Sequence, residues 1–202
     1  VVGTQQAPFG DWVGIDNIES GRLVGTHLAA LGHRDVAVIA PTGTGELADV
    51  GYRPDRATPG VPSPSYQDDR LRGLWQTLPA GSLRVVTCAT NTRQAGREAA
   101  ARVLDAADRP TALVALSDVV ALGVLDAARV GGLTPGQEVS VAGFDDIPDA
   151  AYTGLTTVRQ PIREKGRLAG LLAMDPDYPQ RQITLPIDLV VRSSTGPVTP
   201  SA

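Results

Sequence analysis

Arg70, Asp145 and a few polar residues follow the strand-like apolar runs of this chain, and together they suit the binding of a hydroxyl-rich small molecule. The run 36–40 leads through a Gly/Pro-rich stretch to Tyr66 and Arg70, and the run 83–87 leads to Cys88 and Asn91. Past 112–116 come Ser117 and Asp118, and past 138–143 come Phe144, Asp145 and Asp146. In an open parallel sheet, ligands settle outside the carboxyl ends of the strands, so these groups should share one rim. A guanidinium offers a rigid fork of N–H donors, whereas a carboxylate offers only acceptors. Facing each other, the two match vicinal hydroxyls, which donate to the carboxylate and accept from the guanidinium.

Each residue also has a plainer reading. Asp145 suits a cap on the turn after its strand, Arg70 a surface salt bridge, and Ser117 the N-cap of the next helix. Tyr66 sits beside the Gly/Pro-rich stretch, and Asp146, just before Ile147-Pro148, reads as structural. Catalysis fits poorly. Adjacent carboxylates on a strand end diverge, so Asp145 and Asp146 make a poor acid–base pair. Cys88 with His27 or His33 is no better as a nucleophile–base pair. His33 follows a helix stop at Gly32, where the helix C-terminus favours a cation, and His27 lies one turn before Leu31 on a partly apolar face. No catalytic residue is therefore expected, and no enzyme. Two histidines and one cysteine, widely separated, make no metal site, and no cofactor is expected. Gly43-Thr44-Gly45-Glu46-Leu47-Ala48 fits a dinucleotide-type G-x-G-x-x-A. The residues after it, however, are Pro-rich and contain Asp55 with no strand around it, so the rest of the fingerprint is missing.

Composition narrows the class. A chain of 202 residues that is 42% hydrophobic can bury a substantial core, on the order of 70% of its unfolded surface. The net charge of −4 gives no basic footprint for nucleic acid. All basic residues except Lys165 are arginines, and they are scattered, as on solvated helix faces. The single Cys88 excludes an internal disulfide and suits a reducing, cytoplasmic compartment. No apolar run approaches the ~18 residues of a membrane span. The chain opens at Val1-Val2-Gly3 without an initiating Met or a secretory pattern, which reads as a fragment.

The elements that must position the candidate residues alternate. Strands are expected at 12–16, 36–40, 83–87, 112–116 and 138–143. Helices are expected at about 18–31, 66–78, 93–106 and 118–130, with Thr92 and Ser117 as N-caps of the last two. Such alternation means βαβ units and a parallel sheet covered on both faces. Stretch 41–65, rich in Gly and Pro, is expected to form a long loop without regular structure. Near the end, a second extended run leads to Pro161, which suits the first position of a helix at about 162–173. Two more strand-like runs come after it, 182–185 and 188–192.

Several ordered segments carry a family likeness. Gly143-Phe144-Asp145-Asp146 with Pro148, then Leu155-Thr156-Thr157-Val158-Arg159-Gln160-Pro161, closely resemble the effector-binding domain of lactose-repressor-family transcription regulators. So do Asp16-Asn17, Leu31-Gly32-His33-Arg34, Arg70-Leu71-Arg72-Gly73, Arg109-Pro110-Thr111-Ala112, Ser117-Asp118 and Leu189-Val190-Val191-Arg192-Ser193-Ser194-Thr195. The likeness covers residues 12 to 196 in order.

This resemblance implies a doubly wound α/β, periplasmic-binding-protein-like fold of type I. Residues 16–159 and 189–202 would form a nearly complete C-terminal lobe, with 1–15 and 160–188 a remnant of the N-terminal lobe. The first part of that lobe and the helix-turn-helix head have no counterpart. Family effector contacts fall on Arg70 and Asp145, and less firmly on Tyr66, Asn91 and Ser117. Asn91 stands where several members carry a stacking aromatic ring, and Tyr66 could substitute for it. Leu122 and Tyr152 match subunit-interface positions, although bare residues of these types are more often core. The implied function is the sensing and dimerising domain of a bacterial regulator, a repressor. It would bind a small effector, a sugar or sugar derivative, and reach operator DNA only through the missing head. A solute receptor of a sugar transport system shares the fold and is the alternative. Footprinting at physiological salt should show no specific DNA binding by these 202 residues, and a protected site would contradict this view.

Overall fold

The computed structural model describes residues 2–3, 10–41, 49–51 and 65–198. In chain order the elements are β1 (Val2–Gly3), β2 (Asp11–Ile15), α1 (Asn17–Ala30), β3 (Val36–Pro41), β4 (Asp49–Gly51), α2 (Tyr66–Thr77), β5 (Leu83–Cys88) and α3 (Arg93–Leu104). Then come β6 (Ala112–Ala115), α4 (Asp118–Val130), β7 (Ser140–Asp145), α5 (Pro148–Thr153), β8 (Thr156–Arg159), α6 (Ile162–Met174), β9 (Gln182–Leu185) and β10 (Asp188–Val190).

Seven strands form one sheet in the order β10-β8-β7-β6-β3-β5-β4. The five inner strands are parallel, and β10 and β4 close the edges antiparallel. Because successive side chains point to opposite faces, β3, β5, β6 and β7 each feed two cores. Ala37, Ile39, Leu113, Ala115 and Val141 pack with α3 and α4 on one face. Val36, Val38, Ala40, Val114, Ala142 and Phe144 pack with α1 and α2 on the other. This two-sided burial is why the strands read as unbroken apolar runs. Strand β3 lies between β5 and β6, so the winding reverses there, which puts the ligand crevice of such sheets at its carboxyl end. Strands β1, β2 and β9 make a separate parallel sheet, where Val13, Ile15 and Leu185 pack on Leu168 and Leu172 of α6.

Side-chain caps start the helices. Asp16, Ser65, Thr92 and Ser117 each accept the backbone N–H three residues on, as expected from sequence for Thr92 and Ser117. The helix pairs cross at glycines: a Cβ on Gly73 would collide with the backbone of Ile18 and Arg22, and one on Gly123 with that of Arg93 and Arg97.

Several expectations need correction. Stretch 41–65 is not wholly irregular, since Asp49–Gly51 pairs with β5 and covers that edge. Residues 42–48 and 52–64, including the G-x-G-x-x-A segment, lie outside the described residues. The turn before the second extended run is the helix α5, whose six residues are too few to show a helical period. Pro161 takes the N-cap of α6 instead of its first helical position. His33 is no solvated helix-terminal cation, being only 2% exposed. The C-terminal segment folds over it: Nε2 donates to the Gly196 carbonyl at 3.1 Å, and burial lowers its pKa, favouring the neutral ring. His27 is satisfied by Thr195 Oγ1 at 2.9 Å.

Gly73→Ala should lower stability by ~1–3 kcal/mol in denaturant titrations, the usual cost of overpacking. Gly166→Ala in α6, where an added Cβ meets open space, should leave stability unchanged or raise it by up to ~1 kcal/mol. Equal effects would show that the helix crossing tolerates a side chain.

Candidate functional site

At the carboxyl ends of β3, β5, β6 and β7 lies a cavity of about 290 Å³. Tyr66, Arg70, Asn91, Ser117 and Asp145, the five candidates from sequence, all line it. The opposite wall comes from Ile15 at the end of β2, Asn17 at the start of α1, Gln160 before α6, and Ile162 and Lys165 in its first turn. The cavity therefore lies between the tips of the large sheet and the entrance to α6.

Arg70 organises the floor. It is 4% exposed, so the surface salt-bridge reading fails: the first turns of α2 carry it under the strand tips. Its Nε donates to Asn17 Oδ1 at 3.1 Å and its Nη1 to the Leu116 carbonyl at 2.6 Å. The guanidinium lies 4.4 Å from the Phe144 ring centroid and 5.1 Å from that of Tyr66, within cation–π range. Its Nη2 stands 3.8 Å from Asp145 Oδ1, a loose ion pair.

Asp145 and Asp146 diverge, as expected. Both have positive φ, +122° and +55°, conformations that cost of order 1–3 kcal/mol each for non-glycine residues. Asp145 points to the cavity, where Gln160 Nε2 donates to its Oδ1. Burial raises its pKa, opposed by Arg70 and by the Gln160 hydrogen bond. Asp146 turns away and binds Arg159 Nε and Arg192 Nη2, each at 2.7 Å, which is a structural role. Ser117 caps α4 and donates to Asn91 Oδ1, fixing that amide at the rim. Behind Asp145, the fully buried Asp118 accepts from Thr157 Oγ1 at 2.6 Å and from the Ile147 N–H at 3.0 Å. Burial pushes it up to about 7 against these bonds.

Sequence reasoning missed Asn17, Gln160 and Lys165 as lining residues. Asn17 and Gln160 lay inside the motifs already singled out, and Lys165 stands out as the only lysine. What sequence could not show is that α6, packed on a different sheet, begins over this rim. Cys88 is buried with its thiol pushed up to about 11. Among the described residues no group of three or more His, Cys, Asp or Glu could hold a metal ion. Of the two interface candidates, Leu122 is packed in the core at 5% exposure, whereas Tyr152 is 90% exposed.

Residues 26–195 match the family of periplasmic binding protein-like domains. The chain belongs to that family. The domain is 34% identical over 197 residues to the HTH-type transcriptional regulator DegA of Bacillus subtilis, covering 93% of this chain and 53% of DegA. It is 34% identical over 171 residues to the HTH-type regulator Rv3575c of Mycobacterium tuberculosis, covering 81% and 46%. The HTH-type repressor PurR of Edwardsiella ictaluri is 30% identical over 179 residues, covering 86% and 47%. The chain thus spans about half the length of the curated relatives it matches. Among solved structures, a LacI-family regulator of Enterococcus faecium with bound ribose superposes with a TM-score of 0.76 at 25% identity, covering 96% of this chain and 68% of that one. A LacI-family regulatory protein of Chloroflexus aggregans gives 0.71 at 31% identity, covering 96% and 68%. This periplasmic binding protein-like domain is of the effector-binding type found in LacI-family regulators.

The raised pKa of Asp118 brings a pH dependence. Its folded value of about 7 exceeds the ordinary 3.8, so between them the folded chain keeps a proton that the unfolded chain has released. This contribution is full below pH ~4 and is lost as the pH rises toward ~7, a fall of order a few kcal/mol. Asp118→Asn should flatten that part of the stability profile in melts from pH 4 to 8. An unchanged slope would show that the carboxyl is ionised throughout.

Proposed function

We propose that this domain is the effector-sensing and dimerising unit of a bacterial LacI-family transcription regulator, a repressor that responds to a sugar or sugar derivative. The observation that carries the reading is the placement of Arg70 and Asp145 on one cavity at the strand tips, with Asn17, Asn91 and Gln160 around them. Donors and acceptors alternate there over a small volume, as a polyhydroxylated ligand requires. Tyr66, beside the guanidinium, adds an aromatic ring to the lining. Regulator relatives and a ribose-bound structural neighbour support the same reading.

The proposed architecture is a two-lobe switch. Residues 16–159 and 189–202 form one lobe, and residues 1–15 with 160–188 belong to the other. Support comes from the sheets, since β1, β2 and β9 pair apart from the seven-stranded sheet. Effector bridging the two sides favours one lobe arrangement, and the shift is limited to its differential affinity, typically ~1–3 kcal/mol. Dimerisation uses the surface around Tyr152, which is exposed, with the core residue Leu122 beneath the interface positions. Coupling to operator DNA runs through a helix-turn-helix head, as in proteins of the relatives' kind, in the cytoplasm. A binding role in place of an enzymatic one is supported by the high thiol pKa of Cys88. Among the described residues no helix is long and apolar enough to cross a membrane.

Thermal-shift screening against a panel led by ribose tests this reading. Asp145→Asn, which keeps the shape, should weaken binding at least ~10-fold, the scale of one hydrogen bond to a charged group. Arg70→Ala should abolish the ligand-induced rise in melting temperature. Unchanged ligand responses in both variants would remove these residues from the site.

A further inference from the structure

Lys165 is the only lysine in the chain, and it stands in the wall of the cavity. It is half-buried, and burial and the Arg70 guanidinium lower its pKa against the opposing pull of Asp145. Two cationic side chains, Arg70 and Lys165, thus face one space with one carboxylate, Asp145. That carboxylate is already shared, standing beside Arg70 and accepting from Gln160. The other nearby carboxylates are engaged elsewhere. Glu164 in the same turn is bound bidentately by Arg167, and Asp118 lies behind the wall, held by Thr157 and Ile147. Among the described residues, no carboxylate comes within ion-pair distance of Lys165 and no hydrogen bond satisfies its ammonium. The first turn of α6 adds positive character, because no side chain caps its N-terminus and Ile162 of that turn also lines the cavity.

Asp145 attracts this half-buried cation only from beyond ion-pair distance while serving Arg70 and Gln160, so a complementary charge on a ligand offsets the remaining cost of burying it. A neutral sugar satisfies Arg70, Asp145 and the amides but leaves Lys165 unpaired, which discriminates against it. We propose that the molecule held in this cavity carries an anionic group, a carboxylate or a phosphate on a hydroxyl-rich scaffold, and that Lys165 selects it. The inference rests on the effector-site reading above and narrows it to charged sugars. Arg70 and Asp145 hold the hydroxyls, and the Lys165 ammonium with the open end of α6 receives the anion. Lys165 determines specificity here.

Because Lys165 is the sole lysine, the chain labelled with 13C at the lysine ε position gives one signal that needs no assignment. The probes are ribose, glucose, ribose 5-phosphate and glucuronate, titrated into wild type and Lys165→Met. The expected result is that a charged compound binds at least ~10-fold tighter than the neutral ones, the scale of a hydrogen bond between charged groups. It should also move the lysine signal and raise its titration midpoint. Whether ribose 5-phosphate or glucuronate does so distinguishes phosphate from carboxylate. In Lys165→Met the preference should vanish, with the charged compound losing at least ~10-fold in affinity. If neutral sugars bind as tightly as charged ones, or Lys165→Met keeps the preference, the inference is overturned and the effector-site reading stands. No response to any of the four probes also overturns it, and the wider thermal-shift panel then judges the effector reading on its own.

Discussion

A buried guanidinium holds the ligand end of this domain together. Removing a charge from water costs several kcal/mol unless partners replace the solvent, and Arg70 draws its partners from four different elements. Asn17 opens α1, the Leu116 carbonyl comes directly after β6, Tyr66 begins α2 and Phe144 lies in β7. Each contact satisfies Arg70 and also fixes the tip of the element that supplies it. Only the Nη2 side keeps a loose partner, Asp145 at 3.8 Å. The charge that binds the scaffold therefore still has a direction free for a ligand.

The opposing carboxylate is delivered by strain. Two consecutive aspartates with positive φ are an uncommon arrangement, and it persists because the surroundings fix it from both ends. Arg159 and Arg192 hold Asp146, Asp118 binds the next backbone N–H, and the Gln160 N–H reaches the Asp145 carbonyl. The twist turns Asp145 toward the cavity and Asp146 toward the arginines, so adjacent identical side chains have separate tasks. Asp118 ties this corner to the start of α4. Its near-neutral pKa makes this corner sensitive to pH.

The cavity has walls from two sheets. Its floor belongs to the seven-stranded sheet, while Ile15, Gln160, Ile162 and Lys165 stand on or beside the segments that lead to β2 and α6 of the smaller one. In the proposed switch, this location is what gives a ligand leverage, because a molecule touching both walls distinguishes arrangements that differ in their separation.

Much of the fold was legible because two-sided burial produces apolar runs and amphipathic helices produce spaced ones. The strands expected at 12–16, 36–40, 83–87, 112–116 and 138–143 and the long helices came within a few residues of their observed limits. The short elements were not legible: β4 spans three residues in Gly/Pro-rich sequence and α5 spans six, too little for any period to register. At the site, the rule that ligands gather at strand tips, together with the family likeness, was enough to name Tyr66, Arg70, Asn91, Ser117 and Asp145. The sequence by itself determined the strand–helix alternation, the helix caps at Thr92 and Ser117, and the chemical types available at the rim, because these depend on neighbours a few residues apart. Only the tertiary structure decided that Arg70 is buried, that His33 is buried beneath the C-terminal segment, and that Lys165 joins the cavity. Those outcomes depend on contacts between residues dozens of positions apart, and no local pattern encodes the desolvation and charge balance that such contacts create.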